Sequence, residues 1–198
     1  MRLLFIHAHP VPERFNTALC STAVSTARDK GHEVRLIDRC AESFNPAMST
    51  EQRRIYNDGE PPPSDLQPHI EALQWAVARI FVYQTWWCSQ PAILKGWLDR
   101  VWRPGITFTL SAPTQPMRPA LTKVRQIGVI TALGLPWWLW TFLFGAPGRT
   151  IILRGLRFCT QPRTRTFWLG LHDMDTQTDT ARRRYLDRVR AWIARSPL

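Results

Sequence analysis

The segment Ala78–Arg103, ARIFVYQTWWCSQPAILKGWLDRVWR, carries the clearest structural signals in the chain. Its opening run, ARIFVY, is apolar, which is typical of a strand buried on both faces in a parallel sheet. Pro91 then suits the first turn of a helix, where its missing N–H costs little. The apolar residues that follow recur at helical spacing and are Ile93, Leu94, Trp97, Leu98, Val101 and Trp102. The segment therefore predicts a strand, a turn and a helix.

Two adjacent tryptophans, Trp86 and Trp87, lie in this predicted turn. Ligands of open parallel sheets bind at the carboxyl ends of the strands, so both side chains are placed where a flat ligand could bind. The alternative is packing in the core or against a second copy of the chain, because tryptophan is largely buried on average.

The rest of the chain alternates strands with helices. The other predicted strands are Arg2–Ala8, His32–Asp38, Lys123–Thr131 and Thr164–Leu171. The other predicted helices are Thr17–Lys30, a short one after Ser49, Asp65–Ala76, Gly148–Thr160 and Thr176–Ala194, with a long loop at Pro104–Leu121. This alternation predicts an α/β sandwich around a parallel sheet. A length of 198 residues suits a single domain, residues 1–198.

Composition limits the kinds of partner. The 26 Lys and Arg residues exceed the 15 Asp and Glu residues, for a net charge of +11. Such a charge suits nucleic acid, an anionic membrane or a phosphate-bearing cofactor. The basic residues are scattered and no nucleic-acid motif is present, so we expect no nucleic-acid partner. The four cysteines form no C-x-x-C pair, and no signal peptide is evident, which predicts free thiols in a cytoplasmic protein.

Two motifs carry a family resemblance. WWCSQPAILKGWLDRV, Trp86–Val101, resembles the W-x-x-x-P-A-x-L-K-G-W-x-[DE]-R-V segment of the flavin-dependent NAD(P)H:quinone oxidoreductases. That family also includes the ancillary flavoproteins of bacterial potassium-efflux channels. The loop after the first strand is similar to the family's H-P-x-x-x-S-F-N, which His9, Phe15 and Asn16 match. The resemblance implies a flavodoxin-like three-layer sandwich with a five-stranded parallel sheet of order 2-1-3-4-5.

The first matching loop implies a phosphate site. In the family these positions surround the flavin phosphates, so the resemblance assigns that role to His9, Phe15 and Asn16. A loop that leads into a helix N-terminus can bind phosphate through backbone N–H groups. Arg14 replaces the family's Ser, and it either adds a charge-assisted contact or points to solvent.

Two further loops are expected at the flavin ring. The resemblance places Trp87 near the ring and the main-chain amides of Thr85, Trp86, Trp87 and Cys88 at its polar edge. The family's T-T-G-G is similar to Thr131, Ala132, Leu133 and Gly134 here, whose amides are expected at the same edge. The change of the first glycine to Leu133 alters how closely this loop can approach the ring.

The resemblance implies an enzyme that transfers a hydride from NAD(P)H to flavin N5 and then two electrons to a quinone-like acceptor. The expected cofactor is FAD, with FMN as the alternative, and the expected assembly is a homodimer with its sites at the interface. We assign no catalytic side chain, because PWWLWTFLFG lacks the Tyr and His of the family's eukaryotic members. We expect no metal site, because His7 and His9 have no third ligand nearby. A flavin-binding regulatory subunit of a cation-efflux channel is the alternative function.

Three aromatic residues are assigned to the substrate. Phe108 matches an aromatic position that lies over the family's active site, while its alternative is packing on the core. Trp137 and Trp138 belong to Leu135–Phe144, LPWWLWTFLF, which is far too short to cross a bilayer of roughly 30 Å. This apolar segment has three interpretations: buried core, a dimer interface with the acceptor pocket, or peripheral contact with a membrane or membrane protein. Its position after the loop expected at the flavin favours the interface and pocket.

Overall fold

The structure, a computed structural model, describes residues 1–58, 60–109 and 116–196. Its central sheet contains five parallel strands. These are β1 (Arg2–Ala8), β2 (Glu33–Asp38), β3 (Ala78–Gln84), β4 (Gln126–Ala132) and β5 (Arg165–Leu171). Their spatial order is β2-β1-β3-β4-β5. This order confirms the flavodoxin-like arrangement 2-1-3-4-5 implied by the family resemblance.

Helices cover both faces of the sheet. They are α1 (Phe15–Asp29), α2 (Thr50–Arg54), α3 (Gln67–Trp75), α4 (Ala92–Val101), α5 (Pro147–Thr150) and α6 (Asp179–Arg195). Helices α1 and α6 pack on one face, where Phe5, Ile80 and Val82 are fully buried. Helices α3 and α4 pack on the other face against Phe81 and Tyr83, which are also fully buried. The central strands are therefore apolar on both faces, as expected for a parallel sheet.

The predicted turn and helix after β3 are confirmed, with one change at the start. Pro91 is the N-cap of α4, so the helix begins one residue later, at Ala92. Packing explains the glycine inside this motif, because a Cβ on Gly96 would overlap Pro46. Ser49 caps α2 in a capping box with Gln52, as its position before a short helix predicted.

Two regions are less regular than their sequence pattern predicted. The helix predicted at Gly148–Thr160 is divided into α5, a π-helical turn at Ile151–Gly155 and a 3₁₀ turn at Leu156–Cys159. The predicted loop Pro104–Leu121 contains a short antiparallel pair, Phe108–Thr109 with Arg118–Pro119. The part of that loop at residues 110–115 lies outside the described residues, as do residues 59, 197 and 198. The assignment of residues 1–198 to one domain stays a prediction.

All four cysteines lie in the described residues and are free thiols, as predicted. Across residues 1–58, 60–109 and 116–196, no helix is both long enough and apolar enough to cross a bilayer.

Candidate functional site

Two cavities lie side by side at the carboxyl ends of the central strands, and Asp175 lines both of them. The cavity at the end of β1, called the β1-side cavity, has a volume of about 500 Å³. The cavity at the end of β4, called the β4-side cavity, measures about 420 Å³. The β1-side cavity is lined by His9, Pro10, Val11, Glu13, Arg14, Phe15, Gln84, Trp86, Met174, Asp175 and Arg182. The β4-side cavity is lined by Thr85, Trp87, Cys88, Leu133, Gly134, Leu135, Trp140, Phe144 and Asp175.

His9 holds the first loop against the end of β3. The Val11 amide donates to Nδ1 of His9 over 3.1 Å, which leaves Nε2 to carry the proton. Nε2 then donates to the side-chain carbonyl of Gln84 over 3.1 Å. Both ring nitrogens of the buried His9 are thereby engaged. His9 therefore shapes the β1-side cavity by positioning the loop, and Gln84 is a partner that the sequence interpretation did not assign.

The N-terminus of α1 opens into the β1-side cavity through Arg14 and Phe15. No side chain caps this helix and its first turn contains no acidic residue, so its first N–H groups keep their positive field. Two guanidinium groups, those of Arg14 and Arg182, line the same cavity, and its two carboxylates are those of Glu13 and Asp175. The backbone N–H groups at the start of α1 and the two guanidinium groups are the donors that this cavity offers to an anion such as phosphate.

Asn16, the second residue of α1, is 2% exposed and has no hydrogen-bond partner for either side-chain polar atom among the described residues. A buried amide without partners costs free energy, because its desolvation is not repaid. The side chain is thus unsatisfied beside the predicted phosphate site.

A tight turn follows β3. The amides and carbonyls of Trp86 and Ser89 bond each other at 3.0 and 3.1 Å, and Trp87 and Cys88 between them have φ of 47° and 65°. Positive φ at both central residues is typical of a type I′ turn, which normally contains Asn or Gly. Backbone strain of this kind clusters at functional sites. The turn leaves Trp87 fully exposed at the mouth of the β4-side cavity.

Hydrogen bonds already occupy several of the amides that were expected to meet a flavin ring. The Thr85 amide donates to Ala132, the Trp86 amide to Ser89 and the Leu133 amide to Leu171. Sheet and turn bonds therefore engage these three donors, and their expected contact with a flavin ring stays a prediction. The amides of Trp87, Cys88 and Gly134 have no such bond among the described backbone bonds.

Thr131 and Ala132 do not reach either cavity. Both lie within β4 and are 0% and 2% exposed. The Thr131 hydroxyl pairs with the Thr85 hydroxyl at 3.0 Å, and its carbonyl accepts from Tyr185. The strand buries both side chains, and the predicted role of their main-chain amides at a cofactor stays a prediction. They position the loop that carries Leu133 and Gly134 instead.

Gly134 lies tightly against Asp175. A Cβ at Gly134 would come 2.5 Å from an Asp175 carboxylate oxygen. The carboxylate is exposed and stands between the two cavities. Asp175 and Arg182 follow β5, and neither was assigned to the site from the sequence. The rule that ligands bind at carboxyl ends of strands was the available signal, because it applies to β5 as well.

The three residues assigned to the substrate do not line either cavity. Phe108 packs against the core on the α3 and α4 face. Trp137 and Trp138 are 54% and 60% exposed on the outer surface. Their neighbours Trp140 and Phe144 line the β4-side cavity instead. Adjacent residues of an irregular helical segment point in different directions, so Trp137 and Trp138 face outward, and their place at a dimer interface with the acceptor pocket stays a prediction.

Trp140 anchors this segment to the turn after β3. Its ring stacks on Trp168 with centroids 5.1 Å apart, and its Nε1 donates to the Cys88 carbonyl over 3.2 Å. The Gly148 amide donates to the same carbonyl over 3.2 Å. The buried core interpretation of Leu135–Phe144 thus applies to Trp140, which is 1% exposed.

His7 and His9 do not converge on one point. Nδ1 of His7 lies 2.8 Å from the Asp38 carboxylate, whereas His9 bonds Gln84. Burial acts to raise the pKa of Asp38, but hydrogen bonds from His7, Ala41 and Cys40 hold that pKa below its usual value. Within the described ranges, no three His, Cys, Asp or Glu residues are grouped to hold a metal ion.

The chain belongs to the flavodoxin-like fold family, whose model matches residues 1–193. A Haemophilus influenzae protein named as an NAD(P)H oxidoreductase is 36% identical over 109 residues, which cover 54% of each chain. NAD(P)H dehydrogenase (quinone) 1 of Rattus norvegicus is 32% identical over 125 residues, which cover 54% of this chain and 45% of that protein. The chain spans about half the length of the curated relatives it matches.

Solved structures share the fold over nearly the whole chain. An NAD(P)H:quinone oxidoreductase from Methanothermobacter marburgensis has a TM-score of 0.83 at 23% identity, covering 98% of this chain and 96% of that one. An FMN-dependent NADH-azoreductase from Bacillus anthracis, in complex with FMN, has a TM-score of 0.74 at 14% identity, covering 98% and 99%. At these identities the likeness is one of fold.

Proposed function

We propose that this protein is a flavin-dependent NAD(P)H:quinone oxidoreductase. The observation that carries the proposal is the pair of neighbouring cavities: one at the end of β1 that holds the α1 N-terminus and two guanidinium groups, and an aromatic one at the end of β4. A flavin has the same division, with a phosphate-bearing chain at one end and a flat ring at the other. The sequence relatives named as NAD(P)H oxidoreductases support the same class.

The residues present fit such a cofactor. The β1-side cavity offers the N-terminus of α1 with Arg14 and Arg182 for phosphate. The unsatisfied amide of Asn16 supplies a donor and an acceptor beside it. The β4-side cavity offers the indoles of Trp87 and Trp140 and the unbonded amide of Gly134 for a ring with a polar edge.

The bound flavin would supply the redox chemistry, accepting a hydride from NAD(P)H and passing two electrons to the acceptor. The protein's part is binding, orientation and exclusion of water. Trp87 and Phe144 stand at the β4-side cavity as apolar walls. Asp175 places a carboxylate between the phosphate end and the ring end. We assign no side chain to proton transfer.

FAD stays our predicted cofactor from the family resemblance, and FMN stays its alternative. The Bacillus anthracis azoreductase with a similar fold is described with FMN. The position of Phe108 supports the predicted homodimer, because this residue lies away from the cavities of its own chain. Its predicted contact with substrate therefore requires a second copy. The channel-subunit alternative has no observation in its favour among the described residues.

The decisive experiment is to purify the protein, record its absorbance spectrum and identify any released cofactor by mass. We expect a yellow protein that oxidises NADH or NADPH in the presence of a soluble quinone. The double variant Arg14→Gln with Arg182→Gln should lose cofactor on dialysis, whereas Arg183→Gln with Arg184→Gln, exposed arginines of the same helix α6, should keep it. A colourless wild-type protein that gains no flavin on reconstitution would overturn the proposal.

A further inference from the structure

Two polar side chains, Gln84 and Asp175, lie where the two cavities meet. Gln84 lines the β1-side cavity and the next residue, Thr85, lines the β4-side cavity, while Asp175 lines both. The donors available to phosphate are separate from this pair, since they are the start of α1 and the guanidinium groups of Arg14 and Arg182. Gln84 and Asp175 therefore stand beside the part of a ligand that crosses from one cavity into the other.

Gln84 keeps a free donor beside the β1-side cavity. Alternation along β3 places its side chain on the sheet face of Val82, which is the face that α1 covers. Its side-chain carbonyl accepts from Nε2 of His9 over 3.1 Å, and this bond turns the amide nitrogen away from His9. The nitrogen has no hydrogen bond among the described residues, and the side chain is only half-buried. Gln84 thus has a donor left for a ligand.

Asp175 keeps a free acceptor at the same boundary. The short turn that contains it is bonded to the loop after β4, because the Met174 amide donates to the Leu133 carbonyl over 3.0 Å. The carboxylate lies over Gly134, where a Cβ would come 2.5 Å from one of its oxygens. Arg182, which shares the β1-side cavity, pairs with another carboxylate of α6 over 3.4 Å. The Asp175 carboxylate is therefore exposed at the boundary, without an ion pair in the part of the chain that the structure describes.

The chemistry of these two groups limits what can lie between the cavities. The carboxylate of Asp175 repels an anionic group, and an apolar chain would leave both the carboxylate and the Gln84 amide without partners. A hydroxyl group satisfies both side chains, because it donates to a carboxylate and accepts from an amide nitrogen. The boundary therefore suits a chain that carries several hydroxyl groups.

We propose that Gln84 and Asp175 bind the hydroxyl groups of the chain that joins phosphate to ring in the cofactor. The two residues make the site specific for a hydroxylated linker. This inference rests on the proposed function, since a flavin has such a polyol chain between its phosphate and its ring. Gln84 donates to one hydroxyl oxygen, and Asp175 accepts from a hydroxyl of the same chain. His9 is a positioning residue here, because its bond to Gln84 fixes which way the amide faces.

The test compares two flavins without phosphate: riboflavin, which has the polyol chain, and lumiflavin, which has a methyl group in its place. Binding to the apoprotein is followed by the quenching of flavin fluorescence. We expect wild type to bind riboflavin more tightly than lumiflavin. Asp175→Ala should weaken riboflavin binding by about tenfold, the usual effect of losing a hydrogen bond to a charged group, and should leave lumiflavin binding unchanged.

A second variant tests the donor, and matched variants control for charge. Gln84→Glu keeps an oxygen for His9 but removes the free N–H group, so it should weaken riboflavin binding and spare lumiflavin binding. Asp175→Asn keeps an acceptor and should lose less than Asp175→Ala does. Asp187→Ala and Gln74→Glu, at exposed positions of α6 and α3 that line neither cavity, should bind both flavins like wild type.

Several outcomes would overturn the proposal. Riboflavin binding that is unchanged in both Asp175→Ala and Gln84→Glu is one, and a wild type that binds lumiflavin as tightly as riboflavin is another. Equal weakening of the two flavins in the variants would assign Gln84 and Asp175 to the ring or to the fold instead. A wild type that binds neither of these flavins nor FMN would remove the proposed function and this inference with it, so the two failures are distinguishable.

Discussion

The segments that follow β3 and β4 differ in how far their tryptophans are buried. After β3, Trp97 lies on the apolar stripe of α4 and is fully buried. After β4, Trp137 and Trp138 are adjacent and both are more than half exposed. The pair Trp86 and Trp87 behaves in the same way, at 41% and 100% exposure. Residues spaced by one helical turn share a face, whereas adjacent residues do not, so regular spacing predicts burial better than residue type does.

The difference between buried and exposed tryptophans should have its largest effect on the free energy of unfolding. Trp97→Ala should lower the free energy of unfolding by about 3–5 kcal/mol, because it leaves a cavity in the core. Trp137→Ala should change it by no more than about 0.5 kcal/mol, because its ring is mostly in solvent. Urea unfolding followed by far-ultraviolet circular dichroism measures both. Similar losses in the two variants would contradict the distinction between the segments.

Glycines offer a second comparison between regular and irregular helix. Gly96→Ala should lower the free energy of unfolding by about 1–3 kcal/mol, because its Cβ overlaps Pro46 and forces the loop to shift. Gly155→Ala is the control in the π-helical turn, where a Cβ meets nothing within 4 Å. That variant should be neutral or slightly stabilising. The prediction is wrong if Gly155→Ala proves the more damaging change.

Trp87 is expected to separate stability from binding. Trp87→Gly should raise the free energy of unfolding by about 0.5–1 kcal/mol, because glycine accepts its positive φ without strain. The same change should lower flavin content after dialysis, because it removes an aromatic wall of the β4-side cavity.

Ser43→Gly is the matched control, since Ser43 also has a positive φ, 50°, but lines neither cavity. It should stabilise the protein without any loss of flavin. Unchanged flavin content in Trp87→Gly would remove Trp87 from the site.

Two partly buried histidines, His69 and His172, should make the stability of the protein depend on pH. His69 lies 3.1 Å from Arg39, and burial together with that guanidinium lowers the pKa of His69 to about 4. His172 contacts Trp140 at 5.6 Å between centroids, and burial lowers the pKa of His172 below its usual value. A folded pKa below the unfolded one means that the unfolded chain binds more protons as pH falls.

The free energy of unfolding should therefore decline as pH falls from about 6.5 towards 4. The part due to His69 should be less than about 1 kcal/mol, because solvent screens this half-exposed side chain. His69→Gln should flatten this part of the stability profile more than His172→Gln does. Thermal melting at about pH 7, 5.5 and 4.5 provides the measurement. Identical profiles for wild type and His69→Gln would contradict the assignment.

Much of the fold followed from periodicity. Continuous apolar runs predicted the central strands, and the stripe through Trp97 predicted α4, because burial on both faces and helical spacing leave distinct patterns. The family motifs then supplied the strand order, which runs of residues do not encode. The irregular segments 139–143 and 151–159 were missed as such, because a π-helical turn has no sequence period of its own.

The candidate site was predicted in part. His9, Arg14, Phe15, Trp86, Trp87 and Gly134 line the two cavities, as their motifs suggested. Phe108, Trp137 and Trp138 do not, and Asp175 and Arg182 were absent from the prediction. Where each of these side chains lies depends on the direction that an irregular connecting segment takes, and the roles assigned to Phe108, Trp137 and Trp138 stay predictions.

The spacing of apolar residues along the chain thus establishes which segments become strands and helices. The pattern that places apolar side chains on one face is set by residues close together in sequence. The assignment of individual donors and side chains to the site is a long-range property. The amides of Thr85 and Leu133 were taken by Ala132 and Leu171, residues distant in sequence, and no local pattern reports that competition. Asp175 reaches Gly134 only because β5 lies beside β4, so the chemistry of the two cavities emerges when the strands are assembled.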